Sequence, residues 1–380
     1  MITFITAADL ALVHRLEPID YTELTMDGIV SDQDRTKFKN LRHRFQELSD
    51  FFKVRYDGEY GIFESERAIG NPVGRGGSLR RVWSGIFKGS SKKYYAAQIS
   101  FVINAPKQCL EVGFYFGRGN APELERNERL DFEAQLRQIG NLLAGEIRNN
   151  PALQKRYYEL FELGFKAEIE DQPVSPEQWL ANAATNPAWS SILFSMTPNP
   201  LGYIDTSLID FYVSMVMPLM SVIPTRINDP ATRRIRRNIT ALTPEERAEK
   251  AKRLALIGQA GEEFIMEQER IRLTAANIIK PDYPCHKALE SDNEGYDILS
   301  CEPDGEDLYI EVKTTTMPRG HAWAKTFFIS KREHDFYKAN KSRYRLYRVW
   351  NIYDQPTFEE IDLETVKLET DGYRAIIPTE

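Results

Sequence analysis

The sequence predicts a mixed fold, α/β in class and α+β overall. Three observations predict it. Short runs rich in aromatic and branched residues (YGIF, VWSGIF, YYAAQISFVI and CLEVGFYFG) alternate with Gly and Pro clusters, as strands and turns do. Segments with apolar residues near helical spacing accompany them, first at 35–52 with Phe38, Leu41, Phe45, Leu48 and Phe51. The last third reads helix, hairpin, strand, helix, strand, which suits a central sheet with helices packed against it.

Taken in order, residues 122–168 read as helical from Pro122, with Glu123 and Glu125 in the first turn. Helix-like and irregular pieces follow, so residues 1–225 read as an α+β domain with a recognition or regulatory role. A basic linker, 226–243, carries Arg233, Arg234, Arg236 and Arg237. Thr243-Pro244-Glu245-Glu246 then opens a helix: Thr243 caps, Pro244 suits the first helical position and Glu246 completes a capping box. The second domain is therefore expected over 244–380. Its first helix is expected to pause at Gly258 or Gly261 before continuing through EEFIMEQERIRL. TFFIS reads as a short strand. Ser330-Lys331-Arg332-Glu333 is a second capping box, opening a helix to about Asn340, and RYRLYRVWNIY reads as a long strand.

Composition narrows the function classes. Hydrophobic residues at 42% and charged residues at 28% are ordinary for a soluble globular chain. A net charge of −7 means that any nucleic-acid contact rests on local patches. Three cysteines, odd in number and far apart, suggest no disulfide framework, and the five histidines lack zinc spacing. A reducing cytoplasm is the expected compartment. The most apolar segment, 211–223, contains Pro218 and is too short to span a bilayer, so no membrane partner is expected. The first twenty residues lack a charged n-region and a small-residue cleavage site, so no signal peptide is expected.

The chemistry concentrates in GYDILSCEPDGEDLYIEVKTTT, residues 295–316. Side chains alternate along a strand, so Tyr309, Glu311 and Lys313 share one face while Ile310 and Val312 share the other. Pro303-Asp304-Gly305 suits a three-residue hairpin loop, Pro favouring a type I turn and Gly supplying the left-handed residue. With that loop Glu302 faces Glu306, and Asp297 falls opposite Glu311 on the same face. Directly opposed Cβ atoms lie about 4.5–5.5 Å apart. A two-residue loop would instead pair Asp297 with Val312 and separate the acids. Two carboxylates that close call for a cation between them, and a hard ion such as Mg²⁺ takes oxygen ligands. Lys313 beside them could orient or deprotonate an attacking water and stabilise charge building on a phosphate. Alternating charges are also what an exposed strand face carries for solubility alone.

Asp297 followed by Glu311-Val312-Lys313 resembles the signature of the PD-(D/E)XK nuclease superfamily. The wider series GQAGEEFIMEQE, GYDILS, LYIEVKTTT, TFFISKREHDFY and YRLYRVWNI resembles the NO VEIN C-terminal-type nuclease-like domain, over about residues 250–355. The resemblance implies a restriction-endonuclease-like mixed sheet flanked by helices, which cuts DNA with Mg²⁺, Mn²⁺ being able to substitute. By motif, Asp297 and Glu311 would bind the metal and Lys313 would assist the attacking water. Glu262 is the best match for an additional catalytic acid from the first helix, with Glu263 its rival and Glu269 a supporting residue. Tyr296 departs from the pattern, which has Pro before the first acid. The implied setting is bacterial restriction or anti-phage defence, with the N-terminal domain selecting the target. An ATPase or other defence-system subunit, and a homodimer, are the partners this setting suggests.

Outside that domain, Arg75, Arg80 and Arg81 lie in a glycine-rich stretch without acids, extended by Lys88, Lys92 and Lys93. These and Arg233, Arg234, Arg236 and Arg237 are the candidate DNA-backbone contacts. A solvated loop and a solvated linker would look the same. Nearby aromatics (Trp83, Tyr94, Tyr95, Phe114, Tyr115 and Phe116) are expected mostly in the core. Two other functions stay open: a catalytically inactive nuclease-like DNA-binding or assembly module, and an RNA nuclease.

Overall fold

The computed structural model describes residues 5–17, 31–69, 81–121, 124–227, 242–278, 280–289, 294–320 and 323–369. Arg75, Arg80, Arg233, Arg234, Arg236 and Arg237 lie outside the described residues, as does the side chain of Arg81. The described residues are mixed α+β, and the chain divides into two compact units, Met1–Lys250 and Ala251–Glu380.

In the first unit, strand β1 (Ile5–Thr6) leads into helices α1 (Ala7–Leu16) and α2 (Asp32–Tyr56). Next come β2 (Glu64–Ile69), β3 (Arg81–Lys88), β4 (Ala97–Asn104) and β5 (Cys109–Phe116). Helices α3 (Arg126–Asn149) and α4 (Pro151–Glu162) follow, then β6 (Lys166–Ile169), β7 (Gln172–Val174), α5 (Pro176–Thr185), β8 (Ser190–Met196), β9 (Tyr203–Ile204) and α6 (Thr206–Val216). A seven-stranded sheet runs in the order β2-β3-β4-β5-β8-β6-β7. Its interior strand β4 is buried at every position. Of the aromatics expected mostly in the core, Tyr95, Phe114 and Phe116 are buried and Trp83, Tyr94 and Tyr115 half-buried; Phe101 stacks on Phe52 of α2 (5.0 Å) and Phe116 on Trp179 of α5 (5.8 Å). The expected helix over 122–168 is interrupted at Asn150, whose side chain caps α4 ahead of Pro151, and its last residues form β6. Pro lacks the N–H that a continuing helix needs.

Helix α7 (Pro244–Ala275) begins with the expected box: the Thr243 hydroxyl accepts from the Glu246 N–H (3.1 Å), and the Glu246 carboxylate accepts from the Thr243 N–H (2.9 Å). It runs without a pause. Gly261 has a packing role instead, since a Cβ there would lie 1.8 Å from the Thr314 hydroxyl. The glycine lets the helix lie directly on the strand that carries Glu311.

The second unit holds a five-stranded sheet, β10 (Cys285–His286), β11 (Ile298–Cys301), β12 (Asp307–Thr314), β13 (Tyr344–Trp350) and β14 (Thr357–Ile361), ordered as in the sequence. Strands β12 and β13 are parallel and the other neighbours antiparallel. Parallel neighbours need a crossover, and it contains α8 (Lys331–Ala339). One sheet face packs Ile298, Leu308, Ile310, Val312 and Val349 against Ile265 and Met266 of α7. The other collects Tyr296, Tyr309, Tyr344 and Leu346 with Phe336 and Tyr337 of α8. Residues 326–330, expected as a strand, join no ladder; Phe327 and Ile329 pack into the α8 face instead. No helix among the described residues is long and apolar enough to cross a membrane.

Candidate functional site

The hairpin forms in the register that the Pro303-Asp304-Gly305 loop predicts. Gly305 has φ +88°, its N–H donates to the Glu302 carbonyl (2.9 Å), and the Glu302 N–H donates to the Glu306 carbonyl (2.9 Å). Cys301 pairs with Asp307, Leu299 with Tyr309 and Ile298 with Ile310. Asp297 stands one residue beyond the ladder. Its N–H donates to the Ile310 carbonyl (2.9 Å), and its carboxylate accepts the Val312 N–H (2.7 Å).

This arrangement buries a set of charges around β12. Glu311 is 2% exposed. Burial, then the neighbouring Asp297 carboxylate, push Glu311 well above the ordinary glutamate range despite Lys313. Burial also pushes Asp297 up to about 6, against the Val312 N–H, with Glu262 adding to the rise and Lys313 opposing it. Lys313 reaches Glu311 at 2.6 Å and Glu333 of α8 at 3.0 Å. Burial alone would lower Lys313, but the two carboxylates outweigh it and hold the ammonium above the usual lysine range. The ammonium thus bridges two acids.

Two of the buried polar atoms without a partner belong to this charged cluster. Glu311 Oε2 is buried and has no hydrogen-bond partner among the described residues, and the same is true of the Tyr344 hydroxyl. Burial, then Glu311, Glu333 and Asp297, raise Tyr344 far above the normal tyrosine range, so its hydroxyl lies within electrostatic reach of all three acids. A buried acceptor without a donor is costly and rare, so each such atom asks for an explanation. Among the described residues no group of three or more His, Cys, Asp or Glu side chains could hold a metal ion. Mg²⁺, however, is commonly held by one or two carboxylates while keeping several waters. Asp297 and Glu311 suit that mode, because Glu311 Oε2 has no partner among the described residues and Asp297 is the neighbouring carboxylate that, after burial, raises Glu311.

The helix acids separate clearly. Glu262 is within electrostatic reach of Asp297, and its carboxylate meets His286 Nε2 at 2.7 Å. Glu263 is exposed and accepts from Gln259 (2.9 Å). Glu269 is buried against Arg272 (2.7 Å) and the Ser300 hydroxyl (2.6 Å), a tie between α7 and β11. Tyr296, in place of the motif's Pro, packs on Tyr309 (4.9 Å) and Phe336 (5.2 Å). Sequence reasoning missed Glu333, His286 and Tyr344. Glu333 carried a signal, the Ser330–Glu333 box, which helix capping alone accounted for.

A mixed five-stranded sheet with α7 on one face, and two raised carboxylates with a lysine at its centre, defines the class: an α+β unit built around a polar, charge-bearing strand. Within it, residues 261–361 match the family described as Protein NO VEIN, C-terminal. Neither curated proteins nor solved structures give a match.

Proposed function

We propose that the C-terminal unit is a PD-(D/E)XK-type nuclease that hydrolyses DNA phosphodiesters with Mg²⁺, with the N-terminal unit selecting the target. The observation that carries this reading is Glu311: a buried carboxylate with one unpartnered oxygen, beside a second raised carboxylate, Asp297, and a lysine. When bound, Mg²⁺, or Mn²⁺ in its place, supplies Lewis-acid polarisation of a phosphoryl oxygen and eases deprotonation of the attacking water. Asp297 and Glu311 would hold the ion. Lys313 donates hydrogen bonds and positive charge towards the phosphate. Tyr344 offers a further hydroxyl donor on the same side. Glu262, oriented by His286, adds a carboxylate near Asp297.

Lys88 is buried with its ammonium on the Tyr60 carbonyl and Lys93 pairs with Glu66, so the candidate DNA contacts are Arg75, Arg80, Arg81, Arg233, Arg234, Arg236 and Arg237. A role in restriction or anti-phage defence, in the cytoplasm and alongside an ATPase or other subunit, follows from the family resemblance.

The test is cleavage of plasmid and phage DNA with Mg²⁺, with single-stranded RNA offered in parallel. Asp297→Ala and Lys313→Ala are expected to lower DNA cleavage by about 10²–10⁴-fold, the usual worth of a positioned catalytic group. Variants that cut as fast as the wild type would sink the enzyme reading. Cleavage of RNA alone would move the substrate.

A further inference from the structure

We propose that Glu333 is the positioning residue for Lys313, holding its ammonium at the site when a divalent cation engages Asp297 and Glu311. The inference rests on the ion-binding reading above and deepens it.

Without an ion, Lys313 serves as the counter-ion of Glu311, at 2.6 Å. An ion that takes over the Glu311 carboxylate also repels the ammonium, because two positive charges then share one small, buried space. A lysine with nothing else to hold it would swing towards water on its flexible four-carbon stem. Glu333 supplies the second anchor, at 3.0 Å.

Glu333 is well placed because its carboxylate is not free to move. Its Oε2 accepts the Ser330 N–H (2.8 Å) as well as the lysine (3.0 Å), while the Ser330 hydroxyl accepts the Glu333 N–H (3.2 Å). The helix that carries it is pinned to the sheet by Phe336 on Tyr309 (5.0 Å) and Tyr337 on Tyr344 (5.5 Å). The unpartnered Tyr344 hydroxyl, on a residue 4% exposed, marks the same space from the β13 side. One carboxylate therefore caps a helix and tethers the lysine, and the cap alone leaves the 3.0 Å contact to Lys313 unexplained.

The experiment follows acetylation of Lys313 by an N-hydroxysuccinimide ester in the full chain, read by mass spectrometry with and without Mn²⁺. Mn²⁺ binding is measured separately by calorimetry. In the wild type Mn²⁺ should leave Lys313 protected. In Glu333→Gln it should speed labelling by about tenfold or more, with Glu333→Asp restoring protection and Ser330→Ala, which keeps the carboxylate, behaving as wild type. Mn²⁺ affinity of Glu333→Gln should fall by less than about tenfold, while kcat for DNA cleavage falls by about 10–100-fold at unchanged KM. Bound Mn²⁺ with equal labelling in wild type and Glu333→Gln overturns the proposal alone. A larger loss of affinity also overturns it, by making Glu333 an ion ligand. A wild type that takes up no Mn²⁺ overturns the ion-binding reading and this proposal with it.

Discussion

On the α7 face of the C-terminal sheet Glu269 is buried, and on the α8 face so is Glu311, at 3% and 2% exposure. Glu269 is saturated: Arg272 donates to both of its oxygens and Ser300 to one. Glu311 has one ammonium, which it shares with Glu333, and one bare oxygen. The same residue type at the same depth therefore does opposite things. A saturated buried acid ties elements together, whereas an unsaturated one leaves part of its desolvation cost unmet.

The comparison breaks most readily on function. Glu311→Gln is expected to abolish the Mn²⁺ heat signal and lower cleavage by about 10²–10⁴-fold, with ion-free stability unchanged or raised. Glu269→Gln should leave Mn²⁺ binding intact. A Glu311 variant that unfolds, or a Glu269 variant that loses the ion, would reverse the roles.

Stability is the second test. Glu269→Ala should cost about 3 kcal/mol by urea denaturation, the low end for breaking a buried ion pair, because Arg272 keeps 32% of its side chain exposed. A loss below about 0.5 kcal/mol, as at an ordinary surface site, would show that the tie is decorative.

The pH dependence sharpens the contrast further. Asp297 is raised from 3.8 to about 6, so the fold favours its neutral form. Its stabilising contribution is complete below the unfolded carboxyl's value and is lost as the pH rises through about 6. Relative to Asp297→Asn, the ion-free wild type should thus lose up to about 3 kcal/mol between pH 4 and pH 7. Saturating Mn²⁺ should shrink that loss. Parallel pH curves for the two proteins would contradict a raised carboxyl. The smallest effect is steric: Gly261→Ala, whose Cβ would meet Thr314, should cost about 1–3 kcal/mol in melting experiments, partly recovered by Thr314→Ala.

What the sequence made legible was local. The turn at Pro303-Asp304-Gly305 carries its own conformational instructions, so the register, and with it the placing of Asp297 towards Glu311, could be read directly. The capping boxes at Thr243 and Ser330 were legible for the same reason. What stayed hidden depends on contacts distant in sequence. Glu333 meets Lys313 across twenty residues of chain, through a crossover whose 326–330 segment alternates like a strand yet joins none. His286 reaches Glu262 from a strand only two residues long, too short for any periodicity. Tyr344 looked like one more aromatic of a strand, and only its burial without a partner sets it apart. Strand β14, with three acids or exposed aromatics in five residues, lacks the apolar alternation that would reveal it.

The hairpin tip sets a phase. Strand faces alternate residue by residue, so a slip of one residue in the pairing of β11 with β12 would turn Asp297 away from Glu311, and a slip of two would return it to that face opposite a different partner. The surface loop that keeps Glu302 opposite Glu306 therefore holds the two acids in phase without touching either of them.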